Sequence, residues 1–170
     1  MGLLDILTGT KRPTAGAPVC SPEELRNRLL GLTRETAPWR VVDGAAAGVD
    51  LIAEWKIVDA QWYEIFAKAG LTRAFTIFLR LDSERREVRA QDQEARVEWE
   101  AGVPTLSFSR QWSRGQTWSF SAGMAYGFTE TLAPGQIYRY RFATEEIKGP
   151  IQEIVNSCGW TYKGVVFRKP

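Results

Sequence analysis

Between positions 49 and 57 the side chains alternate: Val49, Leu51, Ala53, Trp55 and Ile57 fall on one side, Asp50, Glu54 and Lys56 on the other. A period of two marks a half-buried strand. The same period recurs over 73–82, where Phe75, Ile77, Leu79 and Leu81 share a side. It returns at Val88 and Ala90 and again at Ala95, Val97 and Trp99, which predicts a meander of antiparallel strands. Ala101-Gly102 has the length of a two-residue turn, and that register sets Trp99 opposite Pro104 and Val97 opposite Leu106. Later, Tyr138, Tyr140 and Phe142 alternate with Arg139 and Arg141, and residues 160–167 form a closing strand.

Three stretches carry the helical period instead. Ser21 is followed by Pro22 at the first helical position and by Glu24 three residues on, a capping-box arrangement. Leu25, Leu29 and Leu32 then recur at helical spacing, and Gly31 weakens the end. Asp59 caps a short helix in which Trp62, Ile65, Phe66 and Ala69 share a face, with Gly70 in the terminating position. Residues 144–158 align Ile147, Ile151, Ile154, Val155 and Cys158 on one stripe, with Pro150 marking the first turn.

The richest stretch is QWSRGQTWSFS, residues 111–121. A two-residue turn at Arg114-Gly115 sets Trp112 and Trp118 on opposite faces. A three-residue loop, Ser113-Arg114-Gly115, places glycine third, where a left-handed residue is needed. Leu106, Phe108, Arg110, Trp112, Trp118 and Phe120 then share one face, and Thr105, Ser107, Ser109, Gln111, Thr117, Ser119 and Ser121 the other. Arg110 is the anomaly, a cation between two indoles on the apolar side. A cation–π contact or an internal carboxylate partner explains it; so does a pocket in which the cation meets an anionic ligand beneath aromatic walls.

These elements predict an α+β domain built on a strongly bent or barrel-like antiparallel sheet of about eight or nine strands with three helices. Residues 1–20 read as an N-terminal segment and linker, 21–170 as a single domain. The chain's 170 residues suffice for one real core, and its 44% hydrophobic and 25% charged residues are ordinary for a globular protein. The opening MGLLDILTG is too short to span a bilayer, lacks the basic start of a signal peptide and has Ile6 where myristoylation wants Ser or Thr. A cytoplasmic location is expected, with this segment a short docked helix or, less simply, a membrane or partner contact.

Candidate chemistry narrows quickly. The chain has no histidine, so neither a histidine-based triad nor an imidazole base is available. Cys20 and Cys158 have no metal-ligand spacing and are expected as free thiols, and neither a metal nor a cofactor is expected. Gly44-Ala-Ala-Ala-Gly48 connects two strands and does not open a helix, which makes it a poor phosphate cradle. Asp43, Asp50, Glu54 and Asp59 cluster in sequence but should point to solvent, and residues 82–87 form an exposed charged turn. Net charge is +2, and arginine outnumbers lysine 16 to 6. In Tyr138–Phe142, however, arginines and aromatics alternate to opposite faces, against a single-strand nucleic-acid platform.

The stretch from Val49 to Gly70, AEWKIVDAQWYEIFAKAG within it, resembles small uncharacterised cytoplasmic proteins of high-GC bacteria, and the likeness extends through Tyr138–Phe142 to Gly159-Trp160. That group carries no assigned activity, so the resemblance implies no residue roles. The element order is also loosely similar to the tubby and phospholipid-scramblase architecture, from which it departs in having an amphipathic late helix followed by a strand. The expectation is a non-catalytic cytoplasmic binding module for a protein partner or small anionic–apolar ligand, contacting it through Arg110, Trp112 and Trp118. The alternatives are a carboxylate-dependent, magnesium-assisted hydrolase, or a membrane-surface or nucleic-acid-associated protein.

Overall fold

The structure, a computed structural model, describes residues 9–68, 70–108, 122–126, 137–141 and 145–165. Helix α1, Pro22–Leu30, begins where expected: Ser21 Oγ accepts from the Glu24 N–H at 3.1 Å. Glu24 does not complete the box, because its carboxylate takes Arg28 at 2.6 Å instead. Strands β1 (Trp39–Asp43) and β2 (Leu51–Trp55) pair antiparallel across a short 3-10 turn, Ala45–Ala47. Helix α2, Tyr63–Lys68, follows Asp59, whose Oδ1 accepts from the Gln61 N–H at 3.1 Å. Trp62 and Phe66 are buried as their spacing requires, and the Gly70 N–H closes the helix on the Ala67 carbonyl.

Strand β3, Arg73–Asp82, and strand β4, Glu87–Glu100, pair along ten positions. Strand β5, Val103–Phe108, follows a turn in which Ala101 and Gly102 both have positive φ, 50° and 82°, the geometry of a tight hairpin. Val97 faces Leu106 and Trp99 faces Pro104, the register read from the alternation. Strands β6 (Ala122–Tyr126) and β7 (Ile137–Arg141) form a separate antiparallel pair. Helix α3, Glu145–Ser157, leads to strand β8, Thr161–Gly164.

The α+β class and three helices stand among the described residues, but the sheet differs from expectation. Among the described residues the main sheet is six-stranded, mixed and not closed, and two further strands form a sheet of their own, so the eight strands do not make one barrel-like antiparallel sheet there. The reason is β8, which returns from α3 to lie parallel to β4, with Val88 opposite Tyr162. A helix between two strands lets them run the same way, whereas a tight turn forces reversal. Two boundaries also shift. Pro150 lies inside α3 and does not open it. The polar stretch 91–94 does not interrupt the meander, because β4 runs through it as one strand.

The pleat and register put Trp39, Val41, Leu51, Ala53, Trp55, Phe75, Ile77, Leu79, Val88 and Ala90 on one side of the sheet. Leu25 and Leu29 of α1 and Ile147, Ile151 and Val155 of α3 complete this core. Trp55 meets Phe66 and Phe75 edge-on, with centroids 6.3 and 6.0 Å apart. Such pairs add about 0.5–1.5 kcal/mol each beyond the area they bury. Residues 9–20 are tied to this body. Lys11 exchanges two backbone hydrogen bonds with Tyr162, and the Cys20 N–H donates to the Cys158 carbonyl at 3.1 Å. No helix among the described residues is long and apolar enough to cross a membrane.

Candidate functional site

Arg110, Trp112 and Trp118, the loop 113–115 and the opening eight residues lie outside the described residues. What leads into the first group is described. Strand β5 carries Leu106 on the side of Val97, and Phe108 pairs with Ala95.

The four carboxylates expected around β2 are held by four different sets of partners. Asp43 pairs with Arg26 and accepts from the Ala45 N–H at 2.9 Å. Asp50 Oδ2 accepts from the Leu81 N–H at 2.8 Å, and Glu54 takes Arg40 at 2.7 Å across the strand pair. Asp59 serves its own turn. Among the described residues no three Cys, Asp or Glu side chains gather into a metal-binding group. Carboxylate-dependent hydrolysis draws no support from these four.

Three polar side chains are buried where the sequence reading did not look. Asp92, in the middle of β4, is fully buried opposite Ile77 and pairs with Lys148 of α3, itself 1% exposed. Gln91, its neighbour, points to the other side of the sheet and is also buried, and neither its Oε1 nor its Nε2 has a hydrogen-bond partner among the described residues. A signal for the pair was present. Asp92 continues the Val88–Ala90 alternation, and Lys148 stands three and seven residues before Ile151 and Val155, on their stripe.

The two edges of β4 explain why polar groups collect here. β3 runs along one edge from Glu87 to Arg96, while the other is shared, β8 pairing with Glu87–Ala90 and β5 with Ala95–Glu100. The two neighbours part company at Gln91–Glu94, so the fork in the sheet coincides with the buried polar residues. Buried charges must be paired, and Lys148 supplies the counter-charge for Asp92.

Elsewhere, Lys56 departs from its expected outward position. Its Nζ donates to the Arg34 carbonyl at 2.7 Å and lies 5.4 Å from the Trp62 ring centre. Burial lowers its pKa from the ordinary lysine value. Cys20 and Cys158 are free thiols, as expected, and both are buried. Burial first, then a hydrogen bond with Cys20, pushes the Cys158 thiol up to about 11.

The fold thus defines an α+β protein with an open mixed sheet, helices on one side and a forked central strand. No protein-family model, no curated protein and no solved structure matches the chain, so its function must be argued from its own residues.

Proposed function

We propose that this protein is a non-catalytic binding module of the cytoplasm that holds a protein partner or a small anionic–apolar ligand through Arg110, Trp112 and Trp118. The observation that supports the reading is the β4–β5 register, in which Leu106 shares the side of Val97. The sequence alternation, taken on in steps of two, is the reason for grouping Arg110 and Trp112 with that side in this proposal. On the sequence alone, a three-residue loop ending in Gly115 would return Trp118 opposite Arg110. Gln91 belongs to that side of β4 as well, where it is buried.

The test uses an anionic–apolar fluorescent probe, 8-anilinonaphthalene-1-sulfonate, titrated into the full chain. Saturable binding is expected, weakened about tenfold by Arg110→Ala and by Trp118→Ala, the scale of one charge-assisted contact or aromatic wall. Arg28→Ala, on the remote helix α1, should leave it unchanged. Equal affinity in the wild-type and Arg110→Ala chains, with both folded, refutes the assignment.

A further inference from the structure

Residues 9–20 lie across the junction of α3 and β8 and are fastened to it near both ends. Near one end Lys11 exchanges backbone hydrogen bonds of 2.8 Å with Tyr162, and the Asn156 side chain donates to the Lys11 carbonyl at 3.0 Å. At the other end the Cys20 N–H donates to the Cys158 carbonyl at 3.1 Å, and the Trp160 indole donates to the Cys20 carbonyl at 3.0 Å. Between these ties the segment packs so closely that a Cβ on Gly159 would lie 2.9 Å from the Pro18 carbonyl oxygen. The two cysteines meet at their side chains as well, where a hydrogen bond joins the thiols. Both belong to the core, Cys20 with 8% exposure and Cys158 with 0%. The Arg28 guanidinium of α1 acts electrostatically on both sulfurs. A disulfide requires contact of backbones and of side chains together, since its Cα atoms stand about 4.4–6.8 Å apart with the Cβ atoms turned toward each other.

We propose that Cys20 and Cys158 are a reversible redox pair, closed to a disulfide by exchange with a low-molecular-weight disulfide, and that the bond locks residues 9–20 onto the α3–β8 junction. Cys20 is the more exposed of the two and meets the incoming reagent first. Its thiolate attacks one sulfur of the reagent, whose S–S bond breaks. One reagent thiolate leaves and takes up the proton that Cys20 lost, and a mixed disulfide remains on Cys20. Cys158 Sγ then attacks the Cys20 sulfur, and the second reagent thiol leaves with the Cys158 proton. Two protein thiols are thereby oxidised, and one reagent disulfide is reduced to two thiols. Arg28 favours the thiolate that each attack needs, as a cation beside a sulfur does. The loop closed runs from residue 20 to residue 158, nearly the whole domain, and a cross-link over so long a loop removes much freedom from the unfolded chain. In the reduced chain hydrogen bonds and packing alone hold the segment. The pair is separate from Arg110, Trp112 and Trp118 and does not depend on them.

The test equilibrates the full chain with mixtures of reduced and oxidised glutathione, quenches with acid, counts free thiols and maps the linked peptides by mass spectrometry. A monomeric chain carrying a Cys20–Cys158 bond is expected. Its equilibrium constant should be at least about tenfold larger in the native chain than in the same chain in urea, because the fold holds the two sulfurs together. By linkage, each factor of ten appears as about 3–5 °C in melting temperature, so the oxidised chain should melt higher than the reduced one and return on reduction. Cys20→Ser should show no such difference. The proposal is overturned if the native chain keeps both thiols in every mixture, if oxidation stops at a mixed glutathione disulfide or links two chains, or if the native and urea-unfolded chains share one equilibrium constant.

Discussion

Lys148 Nζ lies 2.5 Å from Asp92 Oδ2, with the two side chains 1% and 0% exposed, so one buried ion pair joins α3 to the middle of the longest strand. Removing one partner takes this counter-charge away from the other inside the core. Lys148→Met is expected to cost about 3–5 kcal/mol in urea denaturation, and Asp92→Leu a similar amount. The double variant should recover most of the loss, since an apolar pair of similar size needs no counter-charge. Simple additivity of the two losses would show that the groups do not act as a pair.

Thr33 guards the outer edge of the sheet. Its hydroxyl donates to the Val41 carbonyl at 2.7 Å and accepts from the Val41 N–H at 2.9 Å, taking both backbone groups that an intruding strand would use. Thr33→Val should lower stability by about 1–3 kcal/mol and raise self-association, read by denaturation and light scattering. Thr33→Ser keeps the hydroxyl and should behave like wild type.

Two glycines separate backbone strain from crowding. Gly102 has φ +82° with open space around it, whereas Gly159 has φ +70° and an added Cβ would lie 2.9 Å from the Pro18 carbonyl oxygen. Gly102→Ala is expected to cost about 1 kcal/mol from conformation alone, and Gly159→Ala clearly more, because residues 17–19 must also move. Equal melting temperatures for the two variants would refute the close packing of that segment.

The Cys158 thiol carries a pH signature. With its folded value near 11 against an ordinary 9, the native state holds the proton more tightly than the unfolded chain. Stability from this group is therefore full below pH 9 and is lost as pH rises from 9 toward 11. Urea midpoints at pH 8 and pH 10.5 should fall in the wild type and fall less in Cys158→Ala. Iodoacetamide should label the native thiol far more slowly than the unfolded one at pH 8.

Much of the architecture was legible from residue order. Ser21-Pro22, the β3 alternation and the Ala101-Gly102 turn each rest on contacts within a few residues, and each forms as its local chemistry requires, whereas Asp59 holds the turn before the short helix and does not cap it. The functional reading was less accessible. Arg110, Trp112 and Trp118 stand out in the sequence because aromatic rings and a cation lie close together there. Cys20 and Cys158 lie near opposite ends of the chain and meet only when the N-terminal segment packs against the end of α3. Asp92 and Lys148, 56 residues apart, look individually like solvated charges, and only their encounter makes burial tolerable.

Periodicity and capping chemistry alone thus determined which segments become helices and strands and which way their side chains alternate, because a pleat or a helical turn is set by neighbouring residues. Tertiary packing decided what those elements pair with. Whether β8 runs parallel or antiparallel to β4, whether the sheet closes, and whether Gln91 and Asp92 are wet or dry depend on where α3 returns the chain. No short-range pattern encodes that return, since the free energy that selects it comes from surfaces brought together across the whole fold.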